Sequence, residues 1–442
     1  MAGGIWLSQN KKRPGAYINF KAVPKSLMTV GDRGIVAMGL PLSWGAEGKL
    51  IEVLSSDLID GTSKKLVGFT AFDSESKLLA GALNYCYKAL VYRMDAGGDK
   101  ATATIGDLEV TAKYAGTFGN KINVAVVADD TLFDVITYVD GAVVDTQKVA
   151  EIADLESNDY VDFSGTGDLS ASAGTPLEDG TDGTVTEATA YPAMFALLKM
   201  AKWQVFGCFS TTLSTIASTI TFIKQMRDDE GRYVQGVVAN YSSADYEGII
   251  NSVSSVTITD VDFSVSDFVA IVAGMTAGAD INESNTARVV DNATKILNPM
   301  TDSAIKEGLS SGKFMITESS SGRIKVEQDI NSLHTFTSEK SYDFSKNRVI
   351  RTLDEIGTTT KITWEDSYMG KVDNNDNGRA IFKTDLMKYG TELQRLSSIQ
   401  NFDGVEDIIV SKGEAIDAVV AEWNVQPVDA MEKLYLNVNL RG

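Results

Sequence analysis

Histidine is nearly missing from this sequence, and that scarcity removes whole classes of chemistry. The single copy, His334, cannot build a histidine-caged metal or an HExxH zinc site, and no GxSxG elbow accompanies it to complete a serine triad. It reads as a surface or ribbon histidine. Cysteine is almost as rare. Cys86 and Cys208 lie 122 positions apart in the apolar stretches "LNYCYKAL" and "FGCFS", without the paired spacing of metal or redox motifs. Two buried free thiols are expected. Positive charge is short, 40 Lys and Arg against 60 Asp and Glu, and a net charge of -20 speaks against a nucleic-acid partner. Long apolar runs are absent, so no segment offers the ~20 residues that span a bilayer and no membrane insertion is expected. "MAGGIWLSQNKKRPGAY" carries its basic residues after a very short apolar patch, unlike a secretory signal. The expectation is a chain made and folded in a cytoplasm, with no cofactor.

What is present is ordinary for a folded protein: 43% apolar and 23% charged residues over 442 positions. At about 150 residues per domain, this suggests about two to four domains. The N-terminal "AYINFKAV" alternates as a single strand with no hairpin partner beside it. From there to residue 96, apolar strands such as "GIVAMGLPLSW" alternate with helical patterns, one of them beginning near Ser76 and running through "KLLAGALNYCYKALVYR". The texture changes at 97–185, where Thr, Val, Gly and Asp dominate with period-two alternation and "VDG" (139–141) marks a hairpin. This segment reads as an inserted all-β domain closed by the flexible, acidic "GTGDLSASAGTPLEDGTDGT". No Lys or Arg occurs between Val149 and Leu198, a window holding ten acids, half of the net charge. Helix-then-strand patterns resume over 186–342 and predict a parallel or mixed sheet. The predicted fold is therefore multidomain α/β (α+β): a mixed α/β core of 23–96 and 186–342, the insert, and a C-terminal α+β domain over 343–431. The chain closes on another alternating strand.

Three motifs invite chemistry and fall short of it. "DNNDNG" copies the first half of a calcium-binding EF-hand loop, but position 12, which needs a bidentate Glu, is Thr384, and position 11 is Lys383. Asn and Asp close tight turns with their own side chains, so a surface turn is expected, and no metal. "GLSSGKF" at Gly308 is one residue short of a phosphate loop and has Phe314 where a Ser or Thr would hold magnesium. Asp228 and Asp229 adjoin Gly231 and read as a solvated turn. No catalytic residue is assigned, and the chain is not expected to be an enzyme.

The segments "RPGAYINFKA", "YAGTFGNKINVAV", "RVIRTLDEI", "YMGKVDNNDNGRAIF" and "PVDAMEKLYLNVNL", in this order, resemble the contractile tail sheath protein of myophages and R-type bacteriocins, particularly the forms in Gram-positive prophages. The resemblance implies that residues 1–22 and 432–442 are linking arms whose strands complete small sheets in neighbouring subunits. The arm residues are then Tyr17, Ile18, Asn19 and Phe20 at one end and Leu434, Tyr435, Leu436, Asn437, Val438, Asn439 and Leu440 at the other. The alternative is that both strands pair at the edge of their own subunit's sheet. It further implies a sixfold helical homo-polymer around an inner tail tube protein, with baseplate and tail terminator partners, assembled in a bacterial cytoplasm and released by lysis. Joints are expected at Ala22–Ser26 and Asn424–Ala430, the insert facing outward and the C-terminal domain lining the tube. For the tube contact, Arg379, Lys383, Lys388 and Arg395 on one helix are the candidates, the alternative being a solvated basic face. A secreted calcium-dependent β-rich adhesin and a carboxylate hydrolase are the competing readings; neither accounts for the unpaired terminal strands.

Overall fold

The structure is a computed structural model that describes residues 2–4, 15–17, 28–31 and 33–441. It has a mixed α/β multidomain fold in two compact units: Gly31–Thr358 with Pro427–Gly442, and Met1–Val30 with Thr359–Gln426.

In the first unit the apolar runs become a seven-stranded sheet. Its order is Lys313–Phe314, Ile249–Ser252, Gln235–Ala239, Val205–Gly207, Ile35–Leu40, Lys88–Arg93 and Leu50–Leu54, parallel throughout except for the last strand. Such a sheet needs cover on both faces. Along Ile35–Leu40 the period of two sends Val36, Met38 and Leu40 into a core with the Val265–Gly278 helix, and Ile35 and Ala37 into one with the Glu187–Leu198 and Leu213–Lys224 helices. Ser264 and Asp267 form a capping box at the start of the Val265–Gly278 helix. That helix lies so close to its neighbour Lys77–Leu83 that a Cβ on Gly274 would stand 2.3 Å from the Ala82 carbonyl oxygen, and one on Gly278 1.7 Å from that of Tyr85.

One expectation fails here. "KALVYR" is not helix but the strand Lys88–Arg93; the helix ends at Leu83. Sandwiched between two helical layers, the strand is apolar on both faces, and periodicity alone cannot separate such a run from a buried helix.

The β-rich insert forms a four-stranded sheet, Ala142–Val149, Leu132–Val139, Ile122–Asp129 and Ser172–Pro176, and a two-stranded one, Val161–Leu169 with Thr102–Ala112. Asp140 and Gly141 both take positive φ, the geometry of a tight primed hairpin turn. Trp44, from the segment preceding the insert, is fully buried in the insert's core against Tyr114, Phe118 and Tyr160. At the same junction Arg93 pairs with Asp95 and donates to the carbonyls of Gly45 and Ala115, while Asp95 accepts from the Leu42 amide.

The acidic segment is a second correction: it is ordered by hydrogen bonds rather than flexible. Two strands run through it, and Asn120 holds its far end by donating to the Gly180 carbonyl and accepting from the Gly180 amide, at 2.9 and 2.8 Å. Asp182 accepts from the Thr117 amide and hydroxyl. The "GTFGNK" stretch is thus a clasp for the acidic loop.

In the second unit, Asp376–Arg395 packs Phe382, Leu386, Tyr389 and Leu393 inward against a hairpin of Ile408–Lys412 and Val419–Trp423. Gly15–Tyr17 pairs in parallel with Ala2–Gly4 of the same chain, so for these three residues the strand has a partner in its own chain. Cys86 and Cys208 are free and buried, and burial pushes the Cys86 thiol up to about 12.

Candidate functional site

The C-terminal segment stands apart from the rest of the described chain. Residues 433–441 take part in no helix or sheet, and Leu434, Tyr435, Leu436, Val438 and Leu440 are 71–98% exposed. Paired as a strand, this segment would put Leu434, Leu436, Val438 and Leu440 on one side and Tyr435, Asn437 and Asn439 on the other. Four adjacent aliphatic side chains in water mark a surface meant to be covered. At the other end, Tyr17 closes the short parallel pair, while Ile18, Asn19 and Phe20, and the joint at Ala22–Ser26, lie outside the described residues.

The 359–426 unit holds a two-stranded hairpin that the strand-arm reading had not named. The hairpin strands Ile408–Lys412 and Val419–Trp423 pair with each other, and neither outer edge is paired to another described strand. Ile408 is buried and Trp423 packs on Tyr389 and Phe402, but Ile409 and Val420 are half exposed. A lone two-stranded ribbon is marginal in water, and open edges recruit strands. The legible signal was two alternating runs, "DIIVSK" and "AVVAEW", separated by a polar turn. Beside the hairpin an open cleft of about 620 Å³ is lined by Trp364, Tyr368, Phe382, Arg379, Asp417 and Val419.

The four candidate cations do not form one face. An α-helix turns about 100° per residue, so Lys388 and Arg395 lie roughly 180° and 160° around from Arg379. Each is also satisfied locally: Arg379 by Asp376 and Asn374, Lys383 by the Val405 carbonyl, Lys388 by Asp385 and Arg395 by Glu392. The exposed side of the helix carries Ile381, Thr384, Lys388, Thr391 and Arg395, a mixed strip whose two cations are paired with Asp385 and Glu392.

The "DNNDNG" side chains hold protein groups. Asn375 caps the helix by accepting from the Gly378 amide, and Asn374 ties the turn to the Ile416 and Ala418 carbonyls. No cluster of three potential metal ligands occurs among the described residues. His334 is half buried, its amide donating to Asp245.

"RVIRTLDEI" is a buried polar knot. Arg351, fully buried, donates to Asp329 at 2.8 Å and to the Glu283 carbonyl at 2.7 Å; Asp354 grips Arg227 through both oxygens; Glu355 accepts from the Gly31 amide. Burial raises the Asp329 carboxyl, but Arg351 and the bonds from Asn285 and Asn347 outweigh it and hold the group below the usual carboxylate range. Nearby Arg33 is pushed down to about 10, by burial first and then by Arg351. Charges so committed serve structure.

Three family models align along the chain in order. They are the phage tail sheath protein beta-sandwich domain over residues 96–182, the phage tail sheath protein central domain over 183–332 and the phage tail sheath C-terminal domain over 339–441. The phage-like element PBSX protein XkdK of Bacillus subtilis (strain 168) is 35% identical over all of both chains. The solved sheath tail protein of Desulfitobacterium hafniense is 40% identical, with a TM-score of 0.83 over 96% of this chain and 99% of that one. The helical sheath of the anti-feeding prophage in its contracted state shares the fold, with a TM-score of 0.56 at 11% identity over 97% of this chain and 99% of that one.

Proposed function

The chain belongs to the phage tail sheath protein family, and from that premise we propose that it polymerises through exchanged terminal strands into a sixfold helical tube around an inner tail tube. The observation that carries this reading is the exposed aliphatic segment 434–440, in a chain whose Ile408–Lys412 and Val419–Trp423 hairpin pairs with no other described strand. Adding the strand to a neighbour's hairpin satisfies both at once, with main-chain hydrogen bonds giving affinity and alternate side chains giving register. A head-to-tail contact that does not close on itself propagates as a helix.

Contraction then reorients nearly rigid subunits while the arms stay paired, releasing a metastable extended lattice and driving the inner tube through a target envelope. The energy resides in the lattice. Partners are further copies of the chain, the inner tube protein, the baseplate and the terminator; assembly takes place in a bacterial cytoplasm and release follows lysis. No helix among the described residues is long and apolar enough to cross a membrane. The acidic insert faces outward, where like charge costs least. The inner tube meets the exposed strip of the Asp376–Arg395 helix, a surface polar enough to let go, with Lys388 and Arg395 as its accessible cations, while Arg379 and Lys383, the other two candidates, lie around the far side of the helix. Lys383→Glu with Lys388→Glu weakens tube attachment in a folded subunit; normal tube-filled particles from that variant would sink the assignment.

The test of the whole reading is negative-stain electron microscopy of the intact chain beside versions lacking residues 1–20 or 433–442. Long tubes that vanish with either deletion are expected. Monodisperse monomers from all three refute the proposal.

A further inference from the structure

Immediately before the uncovered strand, one side chain turns back into the protein. The Glu432 carboxylate, only 11% exposed, accepts from the Thr286 hydroxyl at 2.7 Å, from Gln328 Nε2 at 2.5 Å and from Lys346 Nζ. Lys346 is itself buried, lies over the Tyr342 ring, and has Asp429 at 3.7 Å as a second partner. Thr286 orients its hydroxyl by accepting from the Asp329 amide, so the socket is wired to the buried Asp329–Arg351 pair. On either side of Glu432 the chain is bare: Met431 is fully exposed, and from Lys433 onward every described residue is exposed.

We infer that Glu432, seated in the socket of Thr286, Gln328 and Lys346, is the root of the C-terminal arm, the point at which the arm is fastened to the subunit body. This rests on the strand-exchange reading and moves its joint. Bending within Asn424–Ala430 lies upstream of the root and is not passed on to the arm, so the swing between body and arm falls at Lys433. Force carried by the arm enters the body through this carboxylate and continues into Thr286 and the knot behind it. The balance of the socket supports the assignment. Burial raises the Glu432 carboxyl, yet the bonds from Lys346, Gln328 and Thr286 outweigh it and hold the group below the usual glutamate range. Burial lowers the Lys346 ammonium, and Glu432 outweighs that to hold it above its ordinary value.

The test uses nitroxide labels at M431C and L436C in the full-length, unassembled subunit, read by electron paramagnetic resonance. Both native side chains are exposed, so neither label displaces packing. The label at 431 should tumble several-fold more slowly than that at 436, and E432A should release 431 to the mobility of 436 without changing 436. In assembly, E432K and K346E should each lower tube yield, and the double reversal should restore it, which a general loss of stability would not do. The inference is overturned if 431 is as mobile as 436 in the parent, if E432A leaves 431 slow, or if either single reversal assembles normally. If the parent forms no tubes, strand exchange fails while the label mobilities still decide whether Glu432 is held.

Discussion

Truncating one aliphatic residue of the C-terminal strand should raise the concentration needed to form tubes by an amount set by the face it occupies. Leu436→Ala removes three carbons of a residue that is 71% exposed in the single subunit and that strand exchange, as proposed, covers in the assembly. At about 0.8 kcal/mol per buried methylene this is about 2.4 kcal/mol, or roughly a fifty-fold higher critical concentration. Val438→Ala removes two carbons, about 1.6 kcal/mol, or roughly fifteen-fold. Asn437→Ala, on the opposite side of the same strand, should stay within about two-fold, because its amide gains little from burial. Sedimentation of polymer over a concentration series measures all three. Equal sensitivity at 436 and 437, or none at either, would contradict the alternation on which the augmented sheet depends.

Three further outcomes follow from other parts of the molecule. Gly278→Ala puts a methyl group 1.7 Å from the Tyr85 carbonyl oxygen, in the turn that follows the Lys77–Leu83 helix, and forces the turn and the Val265–Gly278 helix apart, so urea unfolding should show about 1–3 kcal/mol lost; an unchanged midpoint refutes the close contact. Asn120→Ala leaves both polar groups of Gly180 without their partner, at about 1–3 kcal/mol, and should speed cleavage of the acidic loop at Glu178 by a glutamate-specific protease relative to the parent; equal cleavage rates refute the clasp. The Glu432 root should also be pH-bounded. A carboxylate whose folded pKa is depressed contributes above its unfolded value, near 4.3, and loses that contribution as pH falls through the folded value. Lys346, shifted upward, contributes below about 10.4 and fades as pH rises through its folded value. Asp429, Tyr342 and Arg348 are the other titratable groups around the socket. A spin label at 431 should therefore stay slow across neutrality and loosen only in acid, below the ordinary glutamate range; a label that stays slow until the whole subunit unfolds in acid contradicts the ion-pair socket.

Much of this molecule was legible because short-range physics dictates it. Runs such as "IVAMGL" are short, β-branched in part, and bounded by turn residues, which favours a buried strand, "VDG" turns where two positive-φ positions are needed, and Asn375 caps a helix as its short side chain allows. What escaped depends on distant residues. Lys88–Arg93 looked helical because both of its faces are buried, and only the neighbouring strands reveal it as sheet. The Gly- and Asp-rich end of the insert looked loose because its order comes from Asn120 and Thr117, about sixty positions away. The basic helix looked like one face because counting charges ignores angle, and acids three residues from Arg379, Lys388 and Arg395 neutralise them in place. Glu432 was invisible for the same reason, its cation lying 86 positions upstream. For the arms themselves the informative sign was a strand whose apolar side has no cover in its own subunit.

The most direct measurement is a cryo-electron microscopy reconstruction of the extended tube at side-chain resolution. The account predicts that residues 434–440 of one subunit lie as an added strand against the Ile408–Lys412 and Val419–Trp423 hairpin of a neighbour, with Leu434, Leu436, Val438 and Leu440 turned toward protein and Glu432 still bound to Lys346 of its own chain. Density showing that strand folded back onto the hairpin of its own subunit would contradict it.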